Sequence, residues 1–225
     1  MTILSQTTMS VMPPAALDEK PMPKSQDHWD QVYSTKSDTE VSWHQPHPER
    51  SIGLIRSATP NLETSIIDVG GGTSHLVDEL LSVGYFDLTV LDVSQAALDR
   101  SKARLGRLGK NVSWIAADIT MWTPPRSWDV WHDRAVFHFF TETKDQDAYI
   151  SVLRIGTKHG SVAIIATFAL DGPERCSGLP VQRYSSTTLA ARIGSEFELV
   201  ADGLETHRTP WGSTQNFAYV VLKRR

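Results

Sequence analysis

The sequence predicts an α/β fold, a mostly parallel sheet with helices on both faces and an antiparallel last strand. Three observations predict it. Short apolar runs alternate with amphipathic helical stretches from residue 65 to residue 194, the pattern of strand–helix–strand crossovers. One run, Ser65-Ile66-Ile67-Asp68-Val69, enters the turn Gly70-Gly71-Gly72 and passes straight into a helical stretch. The last two runs, 197–203 and 216–223, have no helical stretch between them, as antiparallel neighbours would.

A chain of 225 residues with 40% hydrophobic content suits one α/β domain with a full core. Residues 1–25 are rich in Met, Pro, Ser and Thr without periodicity and read as a flexible tail. The domain then covers 26–225. It opens with a helical cover over 26–60, in two pieces punctuated by Pro46 and Pro48. Next come strand 65–69, helix 74–83, strand 86–91, helix 95–107, strands 112–117 and 128–132, helix 143–155, strand 161–167 and helix 187–194. The stretch 169–183 breaks this rhythm with Gly, Pro and mixed polar residues, which suits a loop over a pocket at a strand's carboxyl end.

The glycine turn carries the chemistry. Gly70 and Gly72 let the backbone turn tightly and approach a ligand, and free N–H groups of a helix beginning near Ser74 can face a polar group. A dinucleotide fingerprint needs glycine at the sixth position of its motif, where His75 stands. What remains is Asp68 two residues before Gly70-x-Gly72, followed by the small Ser74. That arrangement resembles the cofactor loop of class I S-adenosylmethionine (SAM)-dependent methyltransferases. Two later strand ends add to it. Strand 86–91 ends in Asp92-Val93, roughly 20 residues beyond the loop, where a carboxylate can accept from a ribose diol; the alternative is an N-cap for the next helix. Strand 112–117 ends in Asp118-Ile119.

The resemblance spans about 28–223. His28-Trp29-Asp30-Gln31-Val32-Tyr33, Glu40-Val41-Ser42-Trp43-His44-Gln45-Pro46, the run from Trp131 to Phe139, and Thr167-Phe168 with Gly172 to Gly178 are similar to a group of small bacterial SAM methyltransferases. That group is distantly similar to the eukaryotic citrate synthase lysine methyltransferase. It is also similar to bacterial methyltransferases acting on hydrogen sulfide and methanethiol. The resemblance implies a Rossmann-like seven-stranded methyltransferase sheet and SAM as cofactor. Asp68, Gly70, Gly72 and Ser74 would face its methionine portion, Asp92 and Val93 its ribose, Asp118 and Ile119 its adenine. Trp29 would fold over the cofactor, and Tyr33 and Trp43 over the substrate; ordinary packing is the alternative for these rings. Ser74 in place of a third loop glycine and His44 in place of an aromatic residue depart from the pattern.

Methyl transfer asks mainly for positioning and a water-poor site. His132-Asp133-Arg134 follows the fourth strand at the crevice where strand order reverses, so all three are candidate catalytic groups. His132 or Asp133 could serve as general base, Asp133 could also meet the cofactor, and Arg134 could bind a carboxylate or an acidic nucleophile. Phe137, Arg175 and Cys176 are candidate substrate contacts. Asp133 and Arg134 could instead pair with each other or cap a helix, Cys176 could be a small buried hydrophobe, and His138 reads as a packed or surface residue.

Net charge is −4 with no long Lys/Arg run, which argues against nucleic acid. One cysteine excludes an intrachain disulfide. Neither a signal-type N-terminus nor a membrane-length apolar run is present, so the expectation is a cytoplasmic protein. The eight histidines show no metal spacing, and no metal is expected. The expected partner is a small-molecule substrate, with a preference for a thiol or sulfide. A protein lysine is the alternative acceptor, and a non-catalytic SAM-binding protein the alternative of another class.

Overall fold

The computed structural model describes residues 24–225, so the tail expected over 1–25 lies almost wholly outside the described residues. Strands β1 (Ile66–Val69), β2 (Leu88–Asp92), β3 (Val112–Ala116), β4 (Trp128–Arg134), β5 (Thr157–Phe168), β8 (Phe197–Arg208) and β9 (Thr214–Arg224) form one sheet in the order β3-β2-β1-β4-β5-β9-β8. Pairings are parallel from β3 through β5, while β9 runs antiparallel to both β5 and β8. Inserting β9 between β5 and β8 needs only the short connection after β8, because consecutive antiparallel strands join by a hairpin. The order reverses between β1 and β4, and that crevice, above the carboxyl ends of the strands, is where a ligand fits.

The central strands β1, β2 and β4 are buried on two sides because helices cover both faces. On one face α2 (Glu49–Ala58), α3 (Leu76–Ser82) and α4 (Gln95–Leu105) bury Ile55, Leu76, Leu80 and Leu98 against Ile66, Val90, Val130 and Ile164. On the other, α5 (Thr143–Ile155) and α6 (Ser186–Ile193) bury Tyr149, Leu153, Leu189 and Ile193 against Ile67, Trp131, Ala163 and Ile165. Adjacent strand residues therefore feed different cores.

Two helices, α1 (Lys24–Thr35) and α2, joined through a 3-10 turn, Asp38–Glu40, precede β1. Helix α1 is tied to α4. The Ser94 hydroxyl donates to Asp30 at 2.5 Å, and Arg100 donates to the carbonyls of Tyr33 and Lys36 and to Asp38, each at 2.7 Å. The expected loop 169–183 contains a small hairpin, β6 (Arg175–Cys176) and β7 (Leu179–Pro180). Its two connecting residues, Ser177 and Gly178, have φ of 48° and 81°, as a type I′ turn requires.

Candidate active site

The loop after β1 works as its glycines dictate. Gly70 has φ +69°, and a Cβ there would lie 2.0 Å from Val136 Cγ2; Gly72 has φ +46°, and a Cβ there would lie 2.7 Å from the Tyr33 hydroxyl. Both needs exclude a side chain. Helix α3 begins at Leu76 rather than near Ser74, because the Ser74 hydroxyl turns back to accept from Leu76 N at 3.1 Å. Above the loop lies a cavity of about 410 Å³, lined by Trp29, Tyr33, Trp43, Gly70, Asp92, Val93, Asp118, Ile119, Arg134, Phe139 and Cys176. A smaller adjoining pocket of about 50 Å³ is lined by Trp43, Asp68, Gly70, Ser74, His132, Ser51 and Arg134. Trp43, Gly70 and Arg134 border both.

Asp92 is buried at the end of β2, and burial pushes its carboxyl up to about 7. Ser94 N donates to its Oδ1 at 2.8 Å. The N-cap of α4 is Ser94, whose hydroxyl accepts from Ala97 N, so capping is not what Asp92 does. A buried carboxylate met only by the Ser94 and Gly72 amides is suited to a ribose diol, which supplies two more donors. Asp118 Oδ1 is held by the Thr120 amide and hydroxyl at 2.9 and 2.7 Å, and Ile119 stands beside it in the cavity wall. Trp29, Tyr33, Trp43 and Phe139 close the opposite wall, with Trp29 centred 5.2 Å from Phe139 and 5.6 Å from Trp43. Burial, and next Asp92, raises the Tyr33 phenol well above its ordinary value, so it stays protonated. These residues fit SAM: an acceptor for the diol, a glycine cradle, and rings that suit a sulfonium.

Four expected site residues lie elsewhere. Asp133 is fully buried and faces the α5 side, accepting from Val136 N at 2.8 Å, Phe137 N at 3.1 Å and the Tyr149 hydroxyl at 2.6 Å. Successive strand side chains point to opposite faces, so Asp133 stands on the α5 face while His132 and Arg134 stand on the other. It borders neither cavity and holds the turn after β4, away from the general-base and cofactor positions expected of it. Phe137 is wholly buried among Phe140, Tyr149 and Tyr184; it is core. Arg175 is exposed and folds over its own hairpin, its guanidinium donating to the Gly178 carbonyl. Gly72 borders neither cavity but leaves room for Tyr33 and Asp92. His132 reaches the small pocket only, engaged by Asp68 and Ser51.

Sequence reasoning missed Ser51, Asp30, Arg100, Phe139 and Glu205. Asp30 and Arg100 carry no motif; the spacing of Trp29 and Tyr33 on one helix turn was the available signal that one face of α1 is bound. Glu205 lies in β8, far along the chain, where only the sheet order brings it to Arg134. No group of three or more His, Cys, Asp or Glu suited to a metal occurs among the described residues. None of their helices is long and apolar enough to cross a membrane.

Residues 66–160 match the family described as a methyltransferase domain. With the sheet order, this match supports a class I SAM-dependent methyltransferase. Similar solved structures include a SAM-dependent methyltransferase from Anabaena variabilis (TM-score 0.69, 18% identity, covering 90% of this chain and 96% of that one). The N-methyltransferase NodS from Bradyrhizobium japonicum, in complex with S-adenosylhomocysteine (SAH), gives 0.66 and 15% identity over 88% and 99%. A structure described under conversion of a disulfide bond into a thioacetal in echinomycin biosynthesis gives 0.72 and 18% over 88% and 91%. Among curated proteins, the mouse eEF1A lysine and N-terminal methyltransferase is 26% identical over 96 residues, 43% of this chain. The matches span only 14% of that relative and 20% of its bovine counterpart.

Proposed function

We propose that the protein transfers a methyl group from SAM to a small nucleophile enclosed in the 410 Å³ cavity, with a thiol or sulfide preferred. The observation that carries this reading is the convergence of three strand-end carboxylates, Asp68, Asp92 and Asp118, on two adjoining cavities roofed by Trp43. Bound SAM supplies an electrophilic methyl on a sulfonium sulfur. Asp92 would accept from the ribose diol, Ile119 would pack the adenine, and Asp68 with the Gly70 turn would hold the methionine portion. Trp29, Tyr33, Trp43 and Phe139 keep water out, and Cys176 and Leu179 extend an apolar wall toward the acceptor. A soft, polarisable sulfur suits such a chamber.

A second reading, methylation of a protein lysine or N-terminus, is favoured by the curated relatives named for that activity on eEF1A. It requires a base to take a proton from an ammonium, and Asp133, the sequence's candidate, is committed to Tyr149 and two backbone amides. Incubation with methyl-labelled SAM and panels of thiols, amines, carboxylates and cell-protein extract separates the readings. A volatile S-methyl product is expected. Label confined to a protein band would replace the first reading with the second, and no SAH formation with any acceptor would overturn both.

A further inference from the structure

We propose that Arg134 is an anion seat and that the methyl acceptor binds there as a small monoanion, a thiolate or a carboxylate. The proposal rests on the methyltransferase reading above and adds the charge class of the acceptor. Arg134 ends β4 and borders both cavities. Its side chain is 10% exposed, and its Nε and Nη2 are buried without a hydrogen-bond partner. Leaving buried guanidinium donors unmade is costly, so such a group is retained where something completes it. Glu205 is the one carboxylate within reach among the described residues, and its Oε1 stops 3.6 Å from Nη2, outside hydrogen-bonding range. That same oxygen accepts from Gln45 Nε2 at 3.0 Å. Phe217 lies against the guanidinium, 4.3 Å from ring centroid to Cζ. Arg134 thus lies against Phe217 and beside Glu205, which Gln45 holds, while two of its donor atoms stay unused.

The neighbouring titratable groups leave that cation without a second counter-ion. Around it stand Glu205 and His207 on β8, Cys176 on β6 and His138 after β4. Burial pushes the Cys176 thiol up to about 12, so it remains neutral. Burial, and next Arg134 itself, pushes His138 down to about 3, so it too is neutral near pH 7. Burial also lowers His207, whose Nε2–H donates to the Ser42 carbonyl, 2.7 Å away. An acceptor arriving as an anion also needs no base, which agrees with Asp133 being turned to the opposite face and His132 being held between Asp68 and Ser51.

The test is calorimetric titration of sodium thiocyanate, a sulfur monoanion, into the full chain with and without saturating SAH. Arg134→Gln is expected to weaken thiocyanate at least about tenfold while SAH affinity stays within about threefold, and Arg134→Lys to retain much of the binding. Glu205→Gln removes a competing carboxylate and is expected to tighten thiocyanate by about threefold or more. Thiocyanate affinity unchanged in Arg134→Gln, or weakened in Glu205→Gln, overturns the proposal. So does a tenfold loss of SAH in a folded Arg134→Gln protein, which would assign Arg134 to the cofactor. Should Arg134→Gln not fold, Arg134→Lys and Glu205→Gln decide. Failure of wild type to bind SAH would sink the methyltransferase reading instead. With ethanethiol and benzoate as acceptors, a thioether or a methyl ester identifies the anion; turnover of amines alone overturns it.

Discussion

His132 Nδ1 lies 2.7 Å from Asp68 Oδ1, and Ser51 Oγ lies 2.9 Å from the other ring nitrogen. Asp68 and His132 are paired neighbours on β1 and β4, so both side chains stand on the face that α2 covers. The relay joins the cover helix to the cofactor loop.

Replacing His132 by Phe removes the donor to a buried carboxylate. A loss of about 1.5–3 kcal/mol in urea denaturation is expected, with weaker SAH binding because Asp68 loses its orientation. Ser51→Ala should cost about 0.5–1.5 kcal/mol and little SAH affinity. Unchanged stability in His132→Phe would mean the relay contributes nothing.

Two glycines with positive φ separate cradle from turn. Gly70→Ala combines left-handed strain with a 2.0 Å clash against Val136 and is expected to cost about 2–5 kcal/mol and abolish detectable SAH binding. Gly106, φ +57° with nothing within 4 Å of a Cβ, should lose about 1–2 kcal/mol on change to Ala and keep its SAH affinity. Thermal melts and calorimetry on both variants check the contrast.

Trp43 borders both cavities and packs edge-on against Trp29 and Tyr33 at 5.6 and 6.3 Å. Trp43→Ala is expected to lower turnover far more than melting temperature. A melting temperature that collapses while folded enzyme keeps its specific activity would make Trp43 a packing residue.

Asp133→Asn tests whether Asp133 takes part in the chemistry or only holds the turn after β4. Burial pushes the Asp133 carboxyl up to about 6 from an ordinary 3.8. A raised folded value means its contribution to stability is greatest below the unfolded value and is lost as pH rises through about 6. The Asn variant should therefore lack that part of the pH dependence and be about 1–3 kcal/mol less stable, with an amide facing the Tyr149 and backbone donors. Turnover per folded molecule should match wild type; a thousandfold fall would restore Asp133 to the chemistry.

The alternation of strand and helix made the fold legible, and helix α5 occupies the residues expected of it because Thr143–Ile155 is bounded by clear breaks. Strand ends were less legible: β5 begins at Thr157 and β8 runs to Arg208, where pairing with a neighbour extends polar, exposed segments that carry no apolar pattern. At the site, Asp92 and Asp118 could be read because an acid ending an apolar strand is a local signal. His132-Asp133-Arg134 is also a local signal, yet strand alternation sends its middle member to the other core. Glu205 and Ser51 reach the site through sheet order and helix packing, which no short motif encodes.

The most direct test of the account is calorimetric titration of SAH into wild type and Asp92→Asn between pH 6 and 8, in buffers of different ionisation enthalpy. Burial holds the free Asp92 carboxyl at about 7, whereas the diol needs the ionised acceptor. Binding at pH 6 should therefore release up to about one proton, and affinity should rise with pH until about 7. Asp92→Asn should bind about 10- to 150-fold more weakly and release no proton. Equal affinity in the two proteins with no proton release from either would contradict the placement of the cofactor on β2, and with it the site described here.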